Sequence, residues 1–220
     1  MFLKLITCLL PWSLKRILLI KFFNYKIHPN AHIGLAWVFP QELVMEEGAK
    51  IDHFTMAIHL DRIIMGNNAT IGRSNWITGL STNVTSLHFK HQIDRKAELI
   101  IGESSAITKN HHLDCTNAIH IGRFSTVAGY QSQLLTHSID VHENRQDSSP
   151  IFIGDYTFIS TNVVILGGSR LPDYSVLGAK SLLNKHFTQN WTLYGGLPAK
   201  ALKEIPKDAK YFSRSEGFVY

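Results

Sequence analysis

The stretch Ile153–Leu183 reads IGDYTFISTNVVILGGSRLPDYSVLGAKSLL, and in it Ile153, Ile159, Ile165, Leu171, Leu177 and Leu183 recur at a strict spacing of six. A helix returns an apolar face every three to four residues and a half-buried strand every two, so a spacing of six fits neither. Glycine follows the aliphatic position at Ile153-Gly154 and Leu177-Gly178. That combination is the mark of a hexapeptide β-helix, in which each unit lays down a short strand, turns a corner and points its aliphatic residue into a narrow prism. Three units make one coil. Ile153 is therefore expected to stack on Leu171, and Ile159 on Leu177.

The same unit can be followed upstream in less regular form. Ile101-Gly102, Ile107, Leu113 and Ile119 keep step, and Ile121-Gly122 and Val127 resume after a slip of two. Met65-Gly66, Ile71-Gly72 and Ile77 form another run, Ile51, Ala57 and Ile63 a third, and Ile33-Gly34 with Phe39 the opening one. The slips of two are expected at coil corners, where a turn absorbs them. The competing reading for these weaker runs is a set of glycine-bounded strands in a sandwich. Taken with the last run, they predict an all-β solenoid over 27–185.

The 220-residue chain is 45% hydrophobic and carries a net charge of +5, which suits a folded protein and argues against disorder. A basic balance favours an anionic partner, such as a polyphosphorylated cofactor or an anionic membrane surface. No helix-turn-helix, RNA-binding or zinc-finger pattern is present and the basic residues are scattered, so nucleic acid is not expected. Cys8 and Cys115 are too few for a disulfide framework and lack the paired spacing of a structural zinc site. A reducing cytoplasm is the simplest compartment.

Segment 1–26, MFLKLITCLLPWSLKRILLIKFFNYK, differs from the rest in being aliphatic and aromatic with basic charges. Its uncharged run Leu5–Leu14 is far shorter than the roughly 20 residues a spanning helix needs, and no small-residue cleavage site follows it. An amphipathic helix is expected there, either capping the solenoid or making a peripheral contact at the inner membrane face. The repeat is interrupted by His88–Glu98 and by a polar excursion over 138–150. In the tail, 186–220, Pro198 can open a short helix with Ala199–Ile205 as its formers.

His137, in LLTHSID, lies where the repeat gives way to the second excursion. That position puts it in a cleft and not in the prism core, and an imidazole suits proton transfer at neutral pH. Asp114 and His112, about one coil earlier, could each approach the same cleft or simply bond a corner turn.

These residues resemble a known family. In the hexapeptide-repeat acyltransferases of the left-handed parallel β-helix class, a His followed by a polar loop precedes an IGDxxWIGxxVxIxxGVxIGxxxVVGAGSVVTK block and a GxPAK tail. Here the order is His137, then IFIGDYTFISTNVVILGGSRLPDYSVLGAKSLLNK, then GGLPAK. Within that class the chain is most similar to sugar O-acetyltransferases, including galactoside and maltose acetyltransferases and those of polysaccharide gene clusters. The resemblance covers 100–205 well and 27–99 only as repeat architecture.

The resemblance implies an enzyme that moves an acetyl group from acetyl coenzyme A to a saccharide hydroxyl in a ternary complex, working as a homotrimer without a metal. It places His137 on the catalytic base, while Asp114 and His112, from their spacing alone, are the candidates to orient His137 or touch the acceptor. It also places Thr161 near the thioester, Ala179 against the pantetheine arm, Asn184 and Lys185 near the nucleotide, and Lys200 near the phosphates. Phe158 stands where the family has Trp, Ser160 where it has Gly, Lys180 replaces the second Gly of GAG, and Gly195-Gly196 carries an extra residue. Two other classes compete. His137, His142, His111, His112 and His120 suggest the zinc histidines of gamma-class carbonic anhydrases, and a β-helix can also serve as a scaffold without chemistry.

Overall fold

The computed structural model describes residues 2–219. Its chain steps through three parallel sheets in strict rotation. Lys26–Ile27 opens the first sheet, His32–Ile33 the second and Trp37–Val38 the third, and Glu42–Met45 returns to the first. The rotation runs on to Arg170–Leu171, Val176–Leu177 and Leu182–Leu183. The expected stacking is observed, with Ile153 paired to Leu171, Ile159 to Leu177 and Ile165 to Leu183. Each of these side chains is buried in one continuous core. Together the three parallel sheets fit a left-handed β-helix of hexapeptide repeats.

Small residues fill the corner between the first and second sheets. Ala49, Ala69, Ser105, Ser125 and Thr157 are buried there, and the Ser105 and Ser125 hydroxyls donate to Gly122 O at 2.6 Å and Gly154 O at 2.7 Å. A small side chain lets successive coils close up, and a serine there must find a backbone acceptor once it leaves water.

The slips of two do not fall at corners. Ile63 and Met65 share the strand Arg62–Met65, Ile119 and Ile121 share Ile119–Ile121, and all four point into the core. Side chains alternate with period two, so adding two residues lengthens a strand without turning any residue outward. Within the coils the first sheet therefore holds the four-residue strands, Glu42–Met45, Arg62–Met65 and Glu98–Ile101. The first interruption is also wider than the sequence suggested, occupying 79–97, while Glu98 belongs to the strand Glu98–Ile101.

Both ends depart from expectation. Residues expected to form the C-terminal helix instead form the strand Ala199–Glu204, antiparallel to Thr192–Gly196. Thr192–Gly196 is hydrogen-bonded to Val176–Leu177 on one side only, and pairing its open edge satisfies a row of backbone groups that a lone six-residue helix would leave exposed. A short 3₁₀ turn, Lys210–Ser213, follows. At the other end there are two helices, α1 (Phe2–Leu9) and α2 (Trp12–Phe23). Lys15 and Leu19 of α2 are buried against the first coil, yet its opposite side carries Leu14 and Ile17, so α2 is apolar on both faces and not amphipathic.

Candidate functional site

Two excursions leave the solenoid at the same corner, where the third sheet hands over to the first. One is 79–97. The other is a hairpin in which His137–Asp140 pairs antiparallel with Arg145–Ser148. They meet: Gln92 Nε2 donates to Asp147 Oδ1 at 2.7 Å and to Ser148 O at 2.8 Å. Insertions are tolerated at corners because they leave the parallel ladders intact, and here two of them wall a cleft of about 610 Å³. That is the size range of small-molecule sites.

His137 lies on the cleft wall at the root of the hairpin. Its Nδ1 is hydrogen-bonded to Asp114 Oδ2, and its backbone N–H donates to the same oxygen at 3.3 Å. The other carboxylate oxygen accepts the Thr116 N–H at 3.0 Å and the Thr116 hydroxyl at 2.7 Å. Burial acts to raise the Asp114 pKa, but the bonds from His137 and Thr116 prevail and hold it below its ordinary value. The bond to Asp114 in turn holds His137 above the ordinary imidazole value, against an opposing contribution from burial. With an ionised carboxylate accepting at Nδ1, the neutral ring keeps its proton there and presents Nε2 as a base. Nε2 has no protein hydrogen-bond partner among the described residues.

The 79–97 excursion braces this ring. Phe89 meets the His137 imidazole edge-to-face at a centroid distance of 6.3 Å, and the Arg95 guanidinium lies 4.8 Å from the Phe89 centroid. Arg95 is anchored by Leu80 O and Thr116 O. Neither Phe89 nor Arg95 stood out in the sequence, because their segment has no period from which to read a direction.

Coil spacing brings Asp114 and His112 alike toward the cleft of His137 and does not separate them. Both face outward on the strand His112–Asp114, and both line the cleft. Register separates them. Asp114 pairs with Leu135, two residues before His137, whereas His112 pairs with Gln133. A second, smaller cleft of about 250 Å³ lies on the other side of His137 and is lined by Asn184 and Gly167.

Two solved structures share this architecture. A maltose O-acetyltransferase from Clostridium difficile 630 aligns with a TM-score of 0.52 at 20% identity, covering 65% of this chain and 70% of its own. A hexapeptide-repeat-containing acetyltransferase from Vibrio cholerae O1 biovar eltor, complexed with acetyl coenzyme A, aligns with a TM-score of 0.51 at 19% identity, covering 94% and 85%. This chain has the fold of the hexapeptide-repeat acetyltransferases. In sequence it is 31% identical over 78 residues to YvoF of Bacillus subtilis (strain 168), whose own designation as an acetyltransferase is provisional. That match spans 36% of this chain and 44% of the relative's length. No family model matches the chain.

On the acetyltransferase fold, the remaining candidate residues are not gathered around His137. Thr161 and Ala179 lie on successive coils at the corner between the second and third sheets, linked by the Lys180 N–H donating to Thr161 O at 3.1 Å. The Thr161 hydroxyl is engaged locally with Tyr130 O at 3.1 Å. Lys180 adopts φ 54, which accounts for the glycine preference at that position. Lys185 and Lys200 are exposed, Lys200 on the C-terminal strand opposite Gly195. The histidines also diverge. His111 is buried between Thr108 and the Ser132 N–H, while His120 binds Glu98 on the first sheet. Among the described residues no three His, Cys, Asp or Glu side chains converge as metal ligands would.

Proposed function

We propose that this protein transfers an acetyl group from acetyl coenzyme A to a hydroxyl of a saccharide, with His137 as general base. The observation that carries the reading is the Asp114–His137 pair held between two clefts on a hexapeptide-repeat acetyltransferase fold. The acceptor would enter the larger cleft past His112, and the thioester would approach from the Asn184 side. His137 Nε2 takes the hydroxyl proton as the sugar oxygen bonds to the thioester carbon. A backbone N–H meets the tetrahedral oxyanion. The carbon–sulfur bond then breaks, and the imidazolium returns the proton to the departing thiolate, giving an acetyl ester and free coenzyme A.

Several features support the finer reading. The maltose enzyme and the acetyl-coenzyme-A complex among the fold neighbours supply the donor and the acceptor class. Thr161 and Ala179 sit one corner away from His137, an arrangement suited to a homotrimer in which neighbouring left-handed prisms share each site. Lys185 and Lys200 are exposed cations suited to the phosphates of the donor. A cytoplasmic location fits a coenzyme A thioester as donor, and no helix among the described residues is long and apolar enough to cross a membrane.

The test is thiol release from acetyl coenzyme A across a panel of saccharides, using wild type and His137→Ala. Acceptor-dependent release by wild type that falls by about 10²- to 10⁴-fold in the variant is expected, the usual contribution of a general base. Acceptor-dependent release that persists in His137→Ala would remove the mechanism. Absence of acetyl-coenzyme-A binding by wild type would remove the reaction.

A further inference from the structure

The charge of this chain is unevenly placed. Of its 22 Lys and Arg residues five lie in residues 1–41, whereas none of its 17 Asp and Glu residues do. The remaining 179 residues therefore carry 17 charges of each sign, and the whole net charge of +5 belongs to the first 41.

Those residues include α1 and α2, which lie across the first coil. Lys15 Nζ donates to Gly34 O at 2.7 Å, Arg16 Nη2 to Ile27 O at 2.8 Å, and Cys8 Sγ to Ala36 O at 3.3 Å. Trp12, Lys15, Leu19 and Phe23 face the solenoid at the i, i+3, i+7, i+11 spacing of one helical stripe. On the opposite stripe, Leu14, Ile17 and Lys21 recur at i, i+3, i+7, and all three are exposed. Leu5 and Leu9 of α1 and Phe22 of α2 are also more than half exposed.

A helix that is apolar all round requires a second apolar environment besides the one it packs on. We infer that the outer face of α1 and α2 docks on the surface of an anionic lipid bilayer. Lys15 and Arg16 are tied to backbone carbonyls of the first coil and Lys26 pairs with Glu42 at 3.8 Å, but the segment as a whole stays net positive, and Lys21 on the outer stripe can extend to anionic headgroups while Leu14 and Ile17 enter the acyl boundary. A second copy of the chain is a poorer occupant, because a self-paired face would bring Lys21 toward its equivalent with no carboxylate from this segment between them. The inference is independent of the reaction proposed above.

Vesicle co-sedimentation of the full chain tests it, using phosphatidylcholine alone and phosphatidylcholine with about one-third phosphatidylglycerol. Wild type is expected to partition about tenfold more strongly onto the anionic vesicles, and less so as salt rises. Leu14→Glu with Ile17→Glu should reduce that binding about tenfold. Lys21→Glu, which leaves the packed face of α2 untouched, should reduce it severalfold, and Leu202→Glu on the distant C-terminal strand should leave it unchanged. The inference fails if wild type remains in the supernatant with both vesicle types, or if the Leu14/Ile17 variant binds as wild type does. It also fails if that variant instead lowers the particle mass in light scattering while wild type ignores vesicles, since the face would then join copies of the chain.

Discussion

Asp114→Asn separates the role of the carboxylate from that of the cleft's shape. Asp114 receives four hydrogen bonds, two from Thr116 on one oxygen and two from His137 on the other. An asparagine keeping its carbonyl oxygen toward Thr116 must turn its NH₂ toward His137. Nδ1 then becomes an acceptor, the ring proton moves to Nε2, and the group facing the substrate is a donor where a base is needed. Losing a charge-assisted hydrogen bond alone is worth about 1.5–3 kcal/mol, or about 10- to 150-fold in rate at about 1.36 kcal/mol per decade. Reversal of the tautomer deepens the loss toward about 10⁴. The pH dependence moves as well. In wild type the bond to Asp114 raises the His137 pKa, so imidazolium persists above the ordinary range and activity rises with pH through that raised value. In the variant burial, which lowers it, is what remains, so the acidic limb of kcat/KM should shift to lower pH while the plateau falls. Titration of ¹³C-labelled histidine by NMR reads the same shift without any acceptor. A plateau that falls while both the limb and the His137 titration stay in place would refute the coupling of Asp114 to His137.

Other outcomes can be checked alongside. Burial pushes His111 down to about 4 from 6.5. The folded state thus binds fewer protons, and the stability this group contributes is complete above about pH 6.5 and lost as pH falls toward 4. A gap of about 2.5 pH units at about 1.36 kcal/mol each gives about 3 kcal/mol, so denaturant unfolding of His111→Gln should be flatter between pH 7 and 4 than that of wild type by an amount of that order. Phe89→Leu removes the ring that braces His137, and kcat should fall by about tenfold with the KM for acetyl coenzyme A unchanged, since a slightly misplaced base weakens the transition state while Phe89 lines the cleft proposed for the acceptor and not that for the donor. Lys200→Ala should weaken acetyl-coenzyme-A binding by severalfold in calorimetry, with the difference shrinking at high salt; equal affinities would take Lys200 out of the donor site.

What the sequence discloses follows from where the chain has choices. Inside the prism it has none: Ile153, Ile159 and Ile165 each fill the one inward position of their units, so spacing alone predicts their partners Leu171, Leu177 and Leu183. Outward positions are different. His112 and Asp114 both face outward on one strand, and only the register with Leu135 places Asp114 beside His137. That register is set by the one coil between the two strands, which departs from three units of six through the lengthened strand Ile119–Ile121 and an added residue before Leu134. The strand Ala199–Glu204 was hidden for a related reason, since helix-forming residues yielded to an open sheet edge supplied by Thr192–Gly196, and local propensity is weak against such pairing. In α2, apolar residues suggest one buried face, whereas the helix has two and the solenoid covers only one of them.

The failures of the repeat are as informative as its successes. A parallel coil can accept extra residues at a corner without breaking its ladders, so insertions are free to appear at any corner of any coil. Here the two long ones, 79–97 and 137–149, both emerge between the third and first sheets, and they bond to each other through Gln92, Asp147 and Ser148. Between their points of departure lies the coil that holds Asp114. Chance insertion would have no reason to select one corner twice and then to tie the products together beside the Asp114–His137 pair. An aliphatic period broken twice at one corner is where the proposed reaction has room for a site, and His137, the first residue of the second excursion, is the base that proposal uses.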